Sequence, residues 1–145
     1  QCHNRWGHIQ EVILQPHQPG HRQTQSQVGF SPMALANFAQ TARRYLPTEI
    51  TLQIPPNLVS DKQYILTAIA NGVRDLGGLG PKDEVNPGYH HPTPEMLQLL
   101  LAKAGWHLQP RLPVYPQYDD WLSSRLRRVV DGWRDRLIHQ PVLNP

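Results

Sequence analysis

Six residues carry the hydrogen-bonding chemistry that this sequence can gather at one site: Gln15, Gln53, Asn57, Asp75, Gly77 and Gly78. Each lies at or just beyond the end of a short apolar run. Trp6–Gln15 (WGHIQEVILQ) ends on Gln15, and Glu49–Leu58 (EITLQIPPNL) carries Gln53 and Asn57 on either side of a double proline. Val73–Leu76 contains Asp75 and runs directly into Gly77–Gly78–Leu79–Gly80–Pro81. Amides and one carboxylate suit hydrogen bonding to a ribose, a uracil-like ring or an amino-acid head group. Three glycines within four residues let a backbone approach a ligand closely, although the spacing is neither a P-loop nor a dinucleotide fingerprint. These residues do not supply a nucleophile–base pair. There is no G-x-S-x-G, and the one cysteine, Cys2, stands at the start of the sequence. His90 and His91 are adjacent and would face opposite ways on a strand, while His17 and His21 lie in a Pro/Gly stretch, so no metal site is expected in this chain. Glu11 is the only carboxylate of the first run, and its type leaves both a core-lining and a substrate-touching role open.

Strands must position these groups. In the second run Ile50, Leu52 and Ile54 alternate with Thr51 and Gln53, giving one apolar face and one small or amide face. Pro55 and Pro56 cannot donate to a ladder and end the strand. The polar groups then cluster at the C-terminal strand end, where α/β sheets bind ligands. In the first run Glu11, Ile13 and Gln15 share one face, and Gln10, Val12 and Leu14 the other. Pro16–Gly29 has no apolar period and reads as a loop.

Ser31–Leu46 is a predicted helix, capped by Ser31 with Pro32 in its first position and an apolar stripe of Leu35, Phe38, Ala39, Ala42 and Leu46. Ser60–Asn71 is a second, with a Ser60/Gln63 capping box, a buried face of Ile65, Leu66, Ile69 and Ala70, and Gly72 in the left-handed region after it. Thr93–Ala104 is a third, capped by Thr93, with Met96, Leu97, Leu100, Leu101 and Ala104 towards the core. Trp106–Tyr118 is extended and broken by prolines. Asp119 or Asp120 is expected to cap a last helix reaching about Ile138, with Leu122, Leu126, Val129, Val130, Trp133 and Leu137 packed on the chain's own fold rather than on a membrane or partner.

Alternating strands and helices predict an α/β fold with a parallel sheet. Three βα units occupy residues 1–118, and an amphipathic helix and tail occupy 119–145. Three units cannot close a barrel, and the sequence opens on Gln1 rather than Met, so a longer protein with an N-terminal half is expected. The length of 145 residues fits one domain or part of one. A net charge of +3 with no recognisable module argues against nucleic-acid binding. One cysteine excludes an internal disulfide framework, and no apolar run approaches the ~18–20 residues of a membrane span. With no signal-peptide pattern, the expected location is cytoplasmic.

Four blocks in order carry a family likeness: WGHIQEVILQ, EITLQIPPNL, GVRDLGGLGPKDEVNP (Gly72–Pro87) and RLPVYPQY (Arg111–Tyr118). From about Trp6 to Trp121 the chain resembles the C-terminal half of the radical S-adenosylmethionine enzymes of deazaflavin synthesis, the CofG-type 7,8-didemethyl-8-hydroxy-5-deazariboflavin (FO) synthases. The resemblance implies a partial (βα)6 TIM-type barrel, a 4Fe–4S cluster and S-adenosylmethionine. It implies a lyase in which a 5′-deoxyadenosyl radical abstracts hydrogen from a tyrosine-derived adduct of 5-amino-6-ribitylaminouracil. Ring closure with loss of ammonia then gives the deazaflavin chromophore of coenzyme F420, a CofH-type sister subunit or domain having made the adduct. The family holds its cluster through C-x3-C-x2-C, and thiolates are required ligands. With Cys2 alone, this chain by itself is expected to bind no cluster and to be inactive. The Pro16–Gly29 loop also departs, reading HQPGHRQ where family members come closer to Lys-Pro-Gly-Thr. Gln15, Gln53, Asn57, Asp75, Gly77 and Gly78 therefore inherit only a general role, lining the pocket for S-adenosylmethionine or substrate, and no catalytic residue is assigned. Two other readings are a non-catalytic half-barrel that binds a ligand or partner, and an enzyme assembled from two half-barrels as a homodimer.

Overall fold

The computed structural model describes residues 2–17, 31–57, 62–77, 79 and 91–139. In chain order they form α1 (Cys2–Trp6), β1 (Glu11–Ile13), α2 (Pro32–Tyr45), β2 (Thr51–Ile54), α3 (Gln63–Ala70), β3 (Asp75–Leu76), α4 (Pro94–Ala102), a 3₁₀ turn (Pro116–Trp121) and α5 (Ser124–His139). The strands make one parallel sheet in the order β1-β2-β3. Val12 pairs with Leu52 and Ile13 with Gln53, while Gln53 in turn faces Asp75 on β3. Backbone bonds from Leu14 to Gln53 and from Gly77 to Ile54 extend both ladders past the strand ends.

The sheet is buried on one face because β2 alternates. Ile50, Leu52 and Ile54 are essentially inaccessible and lie under one layer of helices. That layer presents Leu35 and Ala39 from α2, Tyr64, Ile65, Ala68 and Ile69 from α3, and Leu97 and Leu101 from α4. Each fully buried aliphatic side chain contributes roughly 1.5–3 kcal/mol of transfer free energy. The Tyr64 hydroxyl enters this core with its one donor satisfied, bonding the Pro55 carbonyl at 2.7 Å. Burial pushes its phenol well above the ordinary tyrosine range.

Local sequence signals set the helix ends. The Ser31 hydroxyl accepts from the Ala34 N–H at 3.1 Å, and the Thr93 hydroxyl from Met96 at 3.2 Å, each ahead of a proline in the first turn. Ser60 of the expected capping box lies outside the described residues, and Lys62 at the start of α3 makes no side-chain cap. Gly72 follows α3 at φ 101°, as the sequence predicts. It faces Arg43, whose guanidinium donates to the carbonyls of Ile50 (2.8 Å), Leu46 (3.0 Å) and Pro47, closing the end of α2 onto the entry to β2. A Cβ at position 72 would lie 2.9 Å from Arg43 Cγ. Gly72→Ala is therefore expected to cost about 1–3 kcal/mol, from left-handed strain and displacement of Arg43. Urea denaturation of the chain measures it as a lower midpoint at an unchanged slope.

Several expectations are corrected. The Trp6–Gln15 strand shrinks to Glu11–Ile13, because Cys2–Trp6 is helical and Gly7 turns the chain at φ 57°. The stripe of α2 is rotated: Ala36 is buried and Phe38 is 57% exposed, since small residues let α2 approach α3. In α3 Ala70 faces out, and Tyr64 and Ala68 take its place in the core. In α4 Met96 is exposed, and Ala104 lies beyond the helix end. Neither Asp119 nor Asp120 caps α5. Both fall in the 3₁₀ turn, and the Ser123 hydroxyl accepts from the Leu126 N–H instead, at 3.4 Å. The apolar face of α5 does not pack as expected: Leu126, Val129 and Trp133 are each about half exposed among the described residues. Among those residues no helix is long and apolar enough to cross a membrane.

Candidate functional site

The face of the sheet turned away from the helices carries one polar residue from each strand: Glu11 on β1, Gln53 on β2 and Asp75 on β3. The register brings them together, since Gln53 sits opposite Asp75 and two positions along the ladder from Glu11's partner, Thr51. Odd positions of β2 point to this face for the same reason that Leu52 and Ile54 point into the core. Gln53 is buried, and its amide nitrogen donates to Asp75 Oδ1 at 3.1 Å and to Glu11 Oε2 at 3.3 Å, using both of its N–H groups.

An extended segment crosses over this face and adds two side chains. Arg111 donates from Nη2 to Glu11 Oε2 at 2.8 Å and from Nε to Asp75 Oδ2. The Tyr115 hydroxyl lies 2.7 Å from Asp75 Oδ2 and 3.2 Å from Glu11 Oε2, so its single proton serves the nearer carboxylate. The guanidinium of Arg111 stacks 4.3 Å over the Tyr115 ring. The crossing segment has its own anchors. Gln10 accepts from the Tyr115 N–H (2.9 Å) and donates to the Pro113 carbonyl (2.6 Å). The Tyr118 hydroxyl donates to Ile9 O at 2.8 Å. Arg134 of α5 donates to both Asp119 oxygens and to Val114 O. The hydrogen bond from Arg134 holds the Asp119 carboxyl below the usual carboxylate range.

The cluster holds two carboxylates against one guanidinium, a formal excess of one negative charge. Burial opposes the Arg111 charge, but the hydrogen bond and charge of Asp75, with those of Tyr115 and Glu11, outweigh it and raise its pKa further. Burial, then the Asp75 carboxylate that accepts its bond, push the Tyr115 phenol well above its ordinary value. Tyr115 is therefore a neutral donor across the physiological range. Carboxylate and amide oxygens suit a ligand that brings O–H or N–H donors. Among the described residues no group of three or more His, Cys, Asp or Glu side chains could hold a metal ion.

Of the six residues singled out from sequence, the structure joins Gln53 and Asp75 in this network and places Gly77 against it. A Cβ at Gly77 would fall 2.2 Å from Gln53 Oε1, so the space that the missing side chain leaves is filled by the Gln53 amide. Gly77→Ala is expected to displace that amide and cost about 1–3 kcal/mol. In a Gln53→Ala background the same substitution should cost markedly less, which a double-mutant cycle of thermal melts checks. Asn57 is not in the network; its amide lies 3.3 Å from His91 Nε2, beyond the double proline. Gln15 is exposed past the end of β1, and Gly78 lies outside the described residues. Glu11, whose role the sequence left open, is a full member. Arg111 and Tyr115 were missed. Nothing in their local pattern marks them, because the segment bends at Pro113 and Val114 between the two. A cleft of about 280 Å³ lies elsewhere, between the C-terminal ends of α2 and α3, and is lined by Arg43, Arg44 and Arg74. Arg43 and Arg74 use their guanidinium groups there on backbone carbonyls, so the cleft belongs to helix termination.

The chain is an α/β segment with a parallel sheet that gathers its polar side chains on the face away from its helices. No family model and no solved structure matches the chain. It is, however, 54% identical over 136 residues to the 7,8-didemethyl-8-hydroxy-5-deazariboflavin synthase of Trichormus variabilis, covering 94% of this chain and 40% of that protein. To the enzymes of the same name from Nostoc sp. and Synechocystis sp. it is 53% identical over 137 residues and 54% identical over 123, covering 40% and 39% of those proteins. The chain is similar to part of each of these synthases and spans about two fifths of the length of the curated relatives it matches.

Proposed function

We propose that the chain is a segment of a radical S-adenosylmethionine lyase that forms the deazaflavin chromophore of coenzyme F420. In this reading its sheet is one wall of the pocket in a partial (βα)6 barrel. The observation that carries it is the 54% identity to a synthase of that name over 94% of the chain. The site geometry supports it. Glu11, Gln53 and Asp75 present acceptors on the sheet face opposite the helices, and both S-adenosylmethionine and a ribityl-bearing adduct carry O–H and N–H donors. Asp75, with Glu11, would hold such groups directly, and Gln53 would brace the two carboxylates from within the sheet. Asn57, Gln15, Gly77 and Gly78 would line the rim, with no individual contact assigned. S-adenosylmethionine, when bound, supplies the hydrogen-abstracting radical; the residues of this chain bind, orient and cover.

The 4Fe–4S cluster does not fit this chain. Its ligands are thiolates, and the sequence has one cysteine. No step is therefore assigned through a cluster here, and the chain alone is proposed to be inactive. The adduct, a CofH-type partner that makes it, and a cytoplasmic location complete the proposal, with no nucleic acid or membrane involved. Anaerobic iron–sulfur reconstitution tests this division. The 145-residue chain is expected to take up no cluster, and stoichiometric uptake with the 4Fe–4S absorption band would overturn it.

A further inference from the structure

We propose that Arg111 and Tyr115 are positioning residues of this site, acting through Glu11 and Asp75 rather than on the substrate. For its kinetic arm the inference rests on the synthase reading given above. The two carboxylates meet within hydrogen-bond reach of one phenol oxygen, at 2.7 and 3.2 Å. Two like charges that close repel unless something between them is positive or donates. Gln53 offers neutral donors to both. Arg111 supplies the charge, and its planar guanidinium sets Nε and Nη2 side by side in one rigid plane, one donor to each carboxylate. The Tyr115 ring supports that plane from below at 4.3 Å. A lysine ammonium could bond both oxygens, but as a compact point charge it lacks the planar face that stacks on the Tyr115 ring and fixes the donors' direction.

The anchoring of the segment is separate from this chemistry. Gln10, Tyr118 and Arg134 fix its backbone through Pro113 O, the Tyr115 N–H, Ile9 O and Val114 O. Arg111 and Tyr115 spend their side chains mainly on the carboxylates, with one further Arg111 bond to its neighbour's carbonyl and one between the Tyr115 hydroxyl and Thr51. Conservative changes at these two positions should therefore leave the fold intact while releasing Glu11 and Asp75.

The test uses Tyr115→Phe, Arg111→Lys and Arg111→Gln, with Tyr118→Phe as the anchoring control. In the 145-residue chain, the Gln53 side-chain amide protons report the carboxylates they touch. Their solvent exchange, read by ¹⁵N-resolved NMR, is expected to speed up by about tenfold in Tyr115→Phe and in Arg111→Gln and to stay unchanged in Tyr118→Phe. Unchanged exchange in both site variants overturns the inference whatever the enzyme does. In a full-length synthase carrying this segment, Tyr115→Phe and Arg111→Lys are expected to lower kcat by about tenfold or more with KM within about threefold. Arg111→Lys should not rescue Arg111→Gln. Normal kcat in folded variants overturns the positioning role. No product even from the unsubstituted full-length protein would count against the synthase reading alone and leave the exchange result to decide this one.

Discussion

Asp75→Ala, placed in a full-length synthase carrying this segment, is expected to lower turnover by about 10²-fold, or about 2.7 kcal/mol of barrier. Asp75 is the acceptor on which Gln53, Arg111 and Tyr115 all converge. Removing it frees Arg111 to swing wholly onto Glu11 and leaves Tyr115 with only its longer bond. The cluster would then be formally neutral where the wild type carries one excess negative charge. The stability cost should be smaller in effect, about 1–3 kcal/mol, because Arg111 is about a third exposed and water can replace the lost acceptor. Turnover at saturating substrate, set beside a thermal melt, separates the two. A large drop in melting temperature with normal turnover would show that Asp75 is structural.

The reverse pattern is expected at Ile65. This side chain is inaccessible in the first turn of α3 and belongs to the core that covers Leu52 and Ile54. Ile65→Ala removes three carbons of packing against a strand that cannot move inwards, since β2 is hydrogen-bonded on both sides. The cost should be about 3–4 kcal/mol, near the middle of the range for such truncations. Against a total of roughly 5–15 kcal/mol this is a large fraction. Chemical denaturation should show a much lower midpoint at an unchanged slope, and the catalytic parameters of the folded fraction should not change. Together the two substitutions separate the faces of the sheet: one stabilises the fold, and the other is the face proposed to bind and orient the substrate.

The residues most legible in the sequence were those whose role is local. Ser31–Pro32, Thr93–Pro94 and Gly72 act on backbone groups within four residues and were found where expected. The alternation of β2 was equally readable, because period 2 alone decides that Gln53 and Leu52 face opposite ways. What escaped depends on distant partners. Glu11 and Arg111 are 100 residues apart, and no periodicity within either segment says that they meet. Asp119 looked like a helix cap because its type suits one, yet Arg134, about three turns along α5, takes its carboxylate. The apolar stripe of α5 was correctly seen as a stripe, but its partner was not in any nearby residue: Leu126, Val129 and Trp133 stay half exposed among the described residues. Of the candidate site, Gln53, Asp75 and the glycine at 77 were legible as polar or permissive strand exits. Asn57 and Gln15 shared that signal but lie beyond the pairing that brings the others together.

The central claim is that this chain forms the polar wall of a deazaflavin-forming pocket. It is tested most directly by substitution of the matched segment. The portion of the Trichormus variabilis synthase that aligns with this chain would be replaced by it, and the anaerobically reconstituted chimera would be supplied with the tyrosine–ribitylaminouracil adduct and S-adenosylmethionine. Deazaflavin fluorescence should appear at a rate within about tenfold of the parent, as expected where half the residues of the segment are identical and the wall is retained. A folded, cluster-loaded chimera that cleaves S-adenosylmethionine but yields no deazaflavin would contradict the account.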